Sequence, residues 1–191
     1  MKKFLRVAAF VLAVMTCLCA VGCKNPSEDE VISAYKEIYP AAYQLTEYIY
    51  GTGLPYDGEY NREELGKEYY VPVSESSPYK TKEEFIAAVL EVYTEEYYEN
   101  TLKYVLFESL AGDQNGMVAS DAPRYKTVSG TLYINVAFEP STVFKCDTSK
   151  AYIEDIRTDS AVVGAPREGT AKDKKCYMVL TESGWRFDYR V

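Results

Sequence analysis

The chain of 191 residues sets 21 Lys and Arg against 29 Asp and Glu, for a formal charge of −8, and is 47% hydrophobic and 26% charged. That balance fits one globular domain or two small lobes with a real apolar core, and it argues against large-scale disorder. Histidine is absent, which excludes every triad, proton shuttle and zinc site that needs an imidazole.

Residues 1–22 begin with Lys2, Lys3 and Arg6, run through an uncharged apolar stretch and reach Ala20-Val21-Gly22-Cys23. The pattern reads as a secretory signal closing on a lipobox, with Cys23 as the lipid attachment site. Only 17 uncharged residues separate Arg6 from Lys24, short of the roughly 20 that a membrane-spanning helix needs. The expected location is therefore extracytoplasmic, held to the cell membrane by acyl chains on Cys23. Loss of the signal removes three cations and takes the formal charge from −8 to about −11, which disfavours nucleic acid and favours a basic partner or simple solubility.

Residues 23–34 should form the lipidated cysteine and a tether running into the first helix, with a mainly helical segment over 35–111. Ser27 and Glu30 read as a capping box before Val31, Tyr35, Ile38, Ala42, Leu45 and Ile49, which share one helix face. Pro40 should kink or divide that helix near Tyr39, and Gly51, Gly53 and Pro55 should end it. Glu68 to Val73 reads as a short strand that Pro72 confines to a sheet edge. Thr81 and Glu84 form a second capping box, and Thr94-Glu95-Glu96-Tyr97 opens a third helix with Tyr97, Thr101, Leu102, Val105, Leu106 and Leu110 on its buried side.

Past an exposed loop at 112–123 the period changes, and 112–191 should be a mainly antiparallel β segment. Ser129-Gly130 is the turn of a first hairpin, and strands are expected over 150–157, 160–163, 175–180 and 185–190. The connection 164–173 reads as mobile, and Glu182-Ser183-Gly184 as the last turn. Helices first and sheet afterwards predict an α+β fold with an antiparallel C-terminal sheet and room for two lobes.

No residue pattern points to catalysis, a metal or a cofactor. The pairs Glu63-Glu64, Glu83-Glu84 and Glu95-Glu96 are adjacent in sequence, and adjacent helical side chains diverge by about 100°, whereas glycoside hydrolysis needs two carboxyls facing one bond. Nucleotide-binding glycine loops, a G-x-S-x-G elbow and a calcium loop are all missing. Of five cysteines, only Cys146 and Cys176 remain for the folded domain, and one disulfide or two buried thiols are both open. The 19 tyrosines suit glycan or peptide recognition and half-buried packing alike.

The succession Tyr69-Tyr70-Val71-Pro72-Val73, Pro78-Tyr79-Lys80-Thr81-Lys82-Glu83-Glu84, Val92-Tyr93-Thr94-Glu95-Glu96-Tyr97, Arg124-Tyr125-Lys126, Ser129-Gly130-Thr131-Leu132-Tyr133 and Gly184-Trp185-Arg186-Phe187 resembles the IseA-type D,L-endopeptidase inhibitor family of Gram-positive bacteria, over residues 35–191. The resemblance implies a two-lobed α+β fold and a non-enzymatic inhibitor whose acidic loop enters the basic cleft of an NlpC-type cell-wall endopeptidase. The loop at 112–123 and its border supply the partner-binding candidates Asp113, Met117, Asp121 and Tyr125. A lipobox would confine such an inhibitor to the membrane-proximal wall. The alternative is an NTF2-like module for a small ligand or glycan, with tyrosines and Trp185 lining its pocket.

Overall fold

A computed structural model describes residues 25–60, 69–108 and 122–191. The fold is α+β: helices occupy the N-terminal part and two antiparallel sheets follow. Helix α1, Glu28–Tyr50, starts where the Ser27 hydroxyl accepts from the Glu30 amide, and Glu28, Asp29 and Glu30 complement the positive end of its dipole. It buries Val31, Tyr35, Tyr39, Ala42, Leu45, Thr46 and Ile49. Contrary to the expected break, Pro40 lies inside this helix of 23 residues without dividing it. Pro40 and Lys36 are both on the exposed face, so the carbonyl that loses its donor points to water, while buried residues before and after hold the axis.

Strand β1, Tyr70–Pro72, is followed by α2, Lys82–Val92, which has the full capping box between Thr81 and Glu84. Helix α3 opens with Glu95–Tyr97 under the Thr94 cap, passes through a π-helical turn at Tyr98–Leu102 and closes with Lys103–Leu106. The π turn was not legible in the sequence. In a regular α-helix a step of five residues rotates the side chain by about 140°. The wider turn realigns the helix so that Tyr97, Tyr98, Leu102 and Leu106 are all buried. Thr101 and Val105, expected on the buried side, are only half-buried.

Strands β2, Tyr125–Val128, and β3, Thr131–Asn135, form the expected hairpin across Ser129 and Gly130, both with positive φ. The first sheet has the order β1-β3-β2, which puts Pro72 on an edge strand as expected. Strands β4, Tyr152–Ile156, β5, Ser160–Pro166, β6, Asp173–Thr181, and β7, Gly184–Phe187, form the second sheet in sequence order. The largest departure from the expected strand boundaries lies between β5 and β6. Strand β5 continues through Gly164, Ala165 and Pro166, paired with Lys175, Lys174 and Asp173, where a mobile connection was expected. Gly164 permits this, because a Cβ there would lie 2.3 Å from Cζ of Tyr152, whose ring covers the strand.

Strand alternation aims Ala161, Val163, Ala165, Cys176, Met178, Trp185 and Phe187 inward, and α1 packs against β4, β5 and β7. Complete burial of one such side chain contributes about 2 kcal/mol. The C-terminal part of α1 also reaches the first sheet, where the Tyr125 hydroxyl donates to the Tyr48 carbonyl at 2.7 Å. Buried apolar residues from both sequence ranges, 35–111 and 112–191, belong to one cluster, and β1 from the former pairs with β3 from the latter.

Candidate functional site

The sites expected from sequence separate into three groups. Cys23, Asp113, Met117 and Asp121 lie outside the described residues. Tyr125 is not a surface contact: it is fully buried, its hydroxyl accepts from the Leu54 amide at 2.9 Å, and its ring meets Phe85 and Phe107 edge-on or tilted. Alternation in β2 turns it inward, so the reading of Tyr125 as a partner-binding residue is corrected to a core residue. Trp185, expected to line a pocket in the alternative reading, is likewise in the core.

Cys146 and Cys176 are both buried and free, so the cross-link left open by the sequence is not formed. Cys176 pairs with Val163 on one side of β5, whereas Cys146 bridges Arg167 and the Asp147 amide bonds the Pro166 carbonyl on the other side. With β5 between them, and their partners Val163 and Arg167 four residues apart, the backbones are separated by more than the about 7 Å that a disulfide tolerates. Both thiols pack beneath α1, near the phenols of Tyr35 and Tyr39, and the Tyr39 hydroxyl accepts from the Cys146 amide at 2.6 Å. Burial raises both thiols above their ordinary value, Cys176 from 9.0 to about 12. Native protein at pH 8 should therefore leave Cys146 and Cys176 unalkylated, and unfolded protein should yield both as free thiols on peptide mass mapping. Rapid native labelling, or a Cys146–Cys176 linked peptide, would contradict this. The raised value also means that the stability due to the protonated Cys176 is intact below about pH 9 and is lost as the pH climbs towards about 12.

The convergent polar surface lies elsewhere, at the end of the second sheet. A groove of about 290 Å³ is lined by Thr142, Phe144, Arg167, Lys174, Tyr189, Arg190 and Val191. Arg167 follows β5 directly, and its backbone is fixed on both sides by the Cys146 bridge and by its amide bond to the Lys172 carbonyl. Lys174 shares the inward face of β6 with Cys176 and Met178, at the end where the sheet opens, and is half-buried. Arg190 follows β7, stacks over Tyr50 at 4.4 Å and donates to the Thr142 carbonyl at 3.4 Å.

Aromatic rings flank these cations. Arg167 stands 5.5 Å from the Phe144 ring centre and Lys174 5.5 Å from that of Tyr189, while Tyr189 rests on Tyr97 and Tyr177. Ion pairs formed by described residues include Lys103 with Glu99, Lys150 with Asp147, Arg157 with Asp155 and Lys175 with Glu154, and none involves Arg167, Lys174 or Arg190. Burial, together with the neighbouring charges of Arg167 and Arg190, holds the Lys174 ammonium below its ordinary value. Three cationic side chains thus converge, without an ion pair to a described carboxylate, in a chain of net charge −8.

Of these three cations, Arg167 lies in the expected connection 164–173, Arg190 at the end of the expected strand 185–190, and Lys174 between the connection and the strand expected from 175. One signal was present: extending the β6 alternation by a single step from Cys176 places a lysine, Lys174, on the apolar face. Among the described residues no Asp or Glu is buried, and no group of three or more acidic or thiol side chains is disposed to hold a metal. No protein-family model matches the chain, and no curated protein matches it.

Proposed function

We propose that the protein is a lipid-anchored component of the Gram-positive cell envelope that binds and inhibits a peptidoglycan D,L-endopeptidase, with an acidic surface facing the partner's basic cleft. It acts by occupying the partner rather than by catalysis, with the bilayer engaged through acylated Cys23. The observation that carries this reading is the set of carboxylates on the elements leading into the loop. Glu83, Glu84 and Glu91 of α2, Glu95, Glu96 and Glu99 of α3, and Glu108 just beyond it are all exposed, directly before the segment that bears Asp113 and Asp121. Carboxylates distributed in this way favour fast, salt-dependent association with a cationic surface. The α+β architecture is the one that the IseA resemblance implies.

The test is a titration of the mature protein against an NlpC-type endopeptidase of the same organism digesting purified peptidoglycan. Inhibition should weaken with added salt, and an Asp113→Ala/Asp121→Ala variant should inhibit roughly tenfold less well. Absence of both binding and inhibition at high micromolar protein would remove the endopeptidase from the account. A ligand-binding role keeps one specific observation in its favour, the basic groove.

A further inference from the structure

We propose that the groove formed by Arg167, Lys174 and Arg190 is a binding site for a phosphoryl group carried on a small organic frame. The inference is independent of the endopeptidase reading, because the groove is positively charged and that reading uses acidic surface.

Three features support a built site rather than scattered surface charge. First, the cations are positioned by backbone and ring contacts: Arg167 by pairing on both edges of its backbone, Lys174 by strand alternation, and Arg190 by Tyr50 and the Thr142 carbonyl. Second, none of the three forms an ion pair with a described residue, although the chain as a whole has an excess of acidic residues. Like charges held together in a half-buried setting repel one another, and an anion relieves that repulsion on binding. Third, Phe144 and Tyr189 stay 40% and 54% exposed at the groove. Their rings offer apolar surface to whatever carries the anion.

The arrangement favours phosphoryl over carboxylate. A carboxylate presents two oxygens and a single charge, which one guanidinium satisfies through a bidentate pair. Two guanidinium forks and an ammonium supply more donors and more charge than that. A phosphoryl group presents additional oxygens and, as a monoester, up to two charges, so it can accept from both arginines and from Lys174 together. The groove volume of about 290 Å³ leaves room for a short polyol or sugar beside the phosphoryl group, against the two rings.

The experiment is calorimetric titration of the full chain in neutral-detergent solution with glycerol 3-phosphate as a monoester and glycerophosphoglycerol as a diester. Acetate serves as the carboxylate control. Saturable binding of either phosphoryl compound, with acetate much weaker, is the expected result, and the preferred one of the two tells monoester from diester as the source. An Arg167→Gln/Arg190→Gln variant should lose about tenfold or more in affinity. A charge-matched Lys150→Gln/Arg157→Gln variant, altered at exposed positions outside the groove, should bind as the wild type does. Lys174→Gln gives a second, single-site measure of the groove, and near-ultraviolet circular dichroism of Trp185 verifies that each variant is folded. No saturable binding up to about 10 mM ligand, acetate binding as strongly as the phosphoryl compounds, or equal weakening by the two double variants would each overturn the proposal.

Discussion

Gly53→Ala should destabilise the protein by about 3 kcal/mol, a combination of about 1–2 kcal/mol for a side chain in left-handed backbone and about 1–3 kcal/mol for overpacking. Gly53 has φ +86°, and a Cβ at this position would lie 2.5 Å from both Arg124 Nη2 and Ile134 Cδ1. Neither neighbour yields cheaply. Arg124 is buried and donates through Nη2 to the Gly51 carbonyl at 2.7 Å, and its guanidinium stacks at 4.2 Å over the Phe138 ring. Ile134 is buried in the centre strand of the first sheet. The turn itself is constrained as well, since the amides of Gly51 and Gly53 both donate to the Glu47 carbonyl, and it delivers Leu54 into the core.

At about 2–4 °C per kcal/mol for a chain of this length, the melting temperature should fall by about 6–12 °C. Gly130→Ala and Gly169→Ala are the internal comparison. Both glycines have positive φ, but a Cβ at either meets nothing within 4 Å, so only the backbone cost of about 1–2 kcal/mol applies. Equal losses at Gly53 and Gly130 would show that the packing around Arg124 contributes nothing.

The features legible in the sequence are those fixed by near neighbours. Ser27, Thr81 and Thr94 cap their helices because the hydroxyl and the amide it accepts from are three residues apart. Ser129-Gly130 makes its hairpin because two positive φ angles suit the strand twist. Where the sequence misled, a contact distant along the chain decided the outcome. Pro40 is tolerated because α1 is held on both sides of it by buried residues, Tyr35 and Tyr39 before it and Ala42 and Leu45 after it. The continuation of β5 depends on the Tyr152 ring covering Gly164, and the π turn of α3 on burying adjacent tyrosines. The groove is the extreme case: Arg167, Lys174 and Arg190 meet only once β5, β6 and the chain after β7 have converged, and no spacing rule links them. Tyrosine follows period inside regular elements, Tyr35 on the buried face of α1 and Tyr177 on the outer face of β6, but Tyr125, at the border of the expected loop, is a core residue rather than a surface contact.

Tyr125→Phe should cost about 2–4 kcal/mol of stability, because the substitution removes one hydroxyl that serves two separate main-chain groups. The Leu54 amide donates to that oxygen at 2.9 Å, and the oxygen in turn donates to the Tyr48 carbonyl at 2.7 Å. Without it, a buried amide loses its partner, at about 1–3 kcal/mol, and a part-buried carbonyl loses one hydrogen bond, at about 1 kcal/mol. The ring is retained, so its contacts with Phe85 and Phe107 and the apolar area it buries should change little. Burial raises the phenol to about 12, above its usual value near 10, so the hydroxyl keeps the proton it donates. The stability gained from it is intact below about pH 10 and is lost as the pH rises through about 12.

Equilibrium unfolding of Tyr125→Phe beside the wild type tests this directly, and Tyr189→Phe, altered at an exposed ring, should leave the transition nearly in place. The same pair of variants checks that Tyr125 is a core residue and not a partner contact. As a partner contact it would lower affinity for the endopeptidase and leave the melting temperature unchanged. As the pin between the end of α1 and the first sheet it should lower the melting temperature, with affinity preserved wherever the variant remains folded.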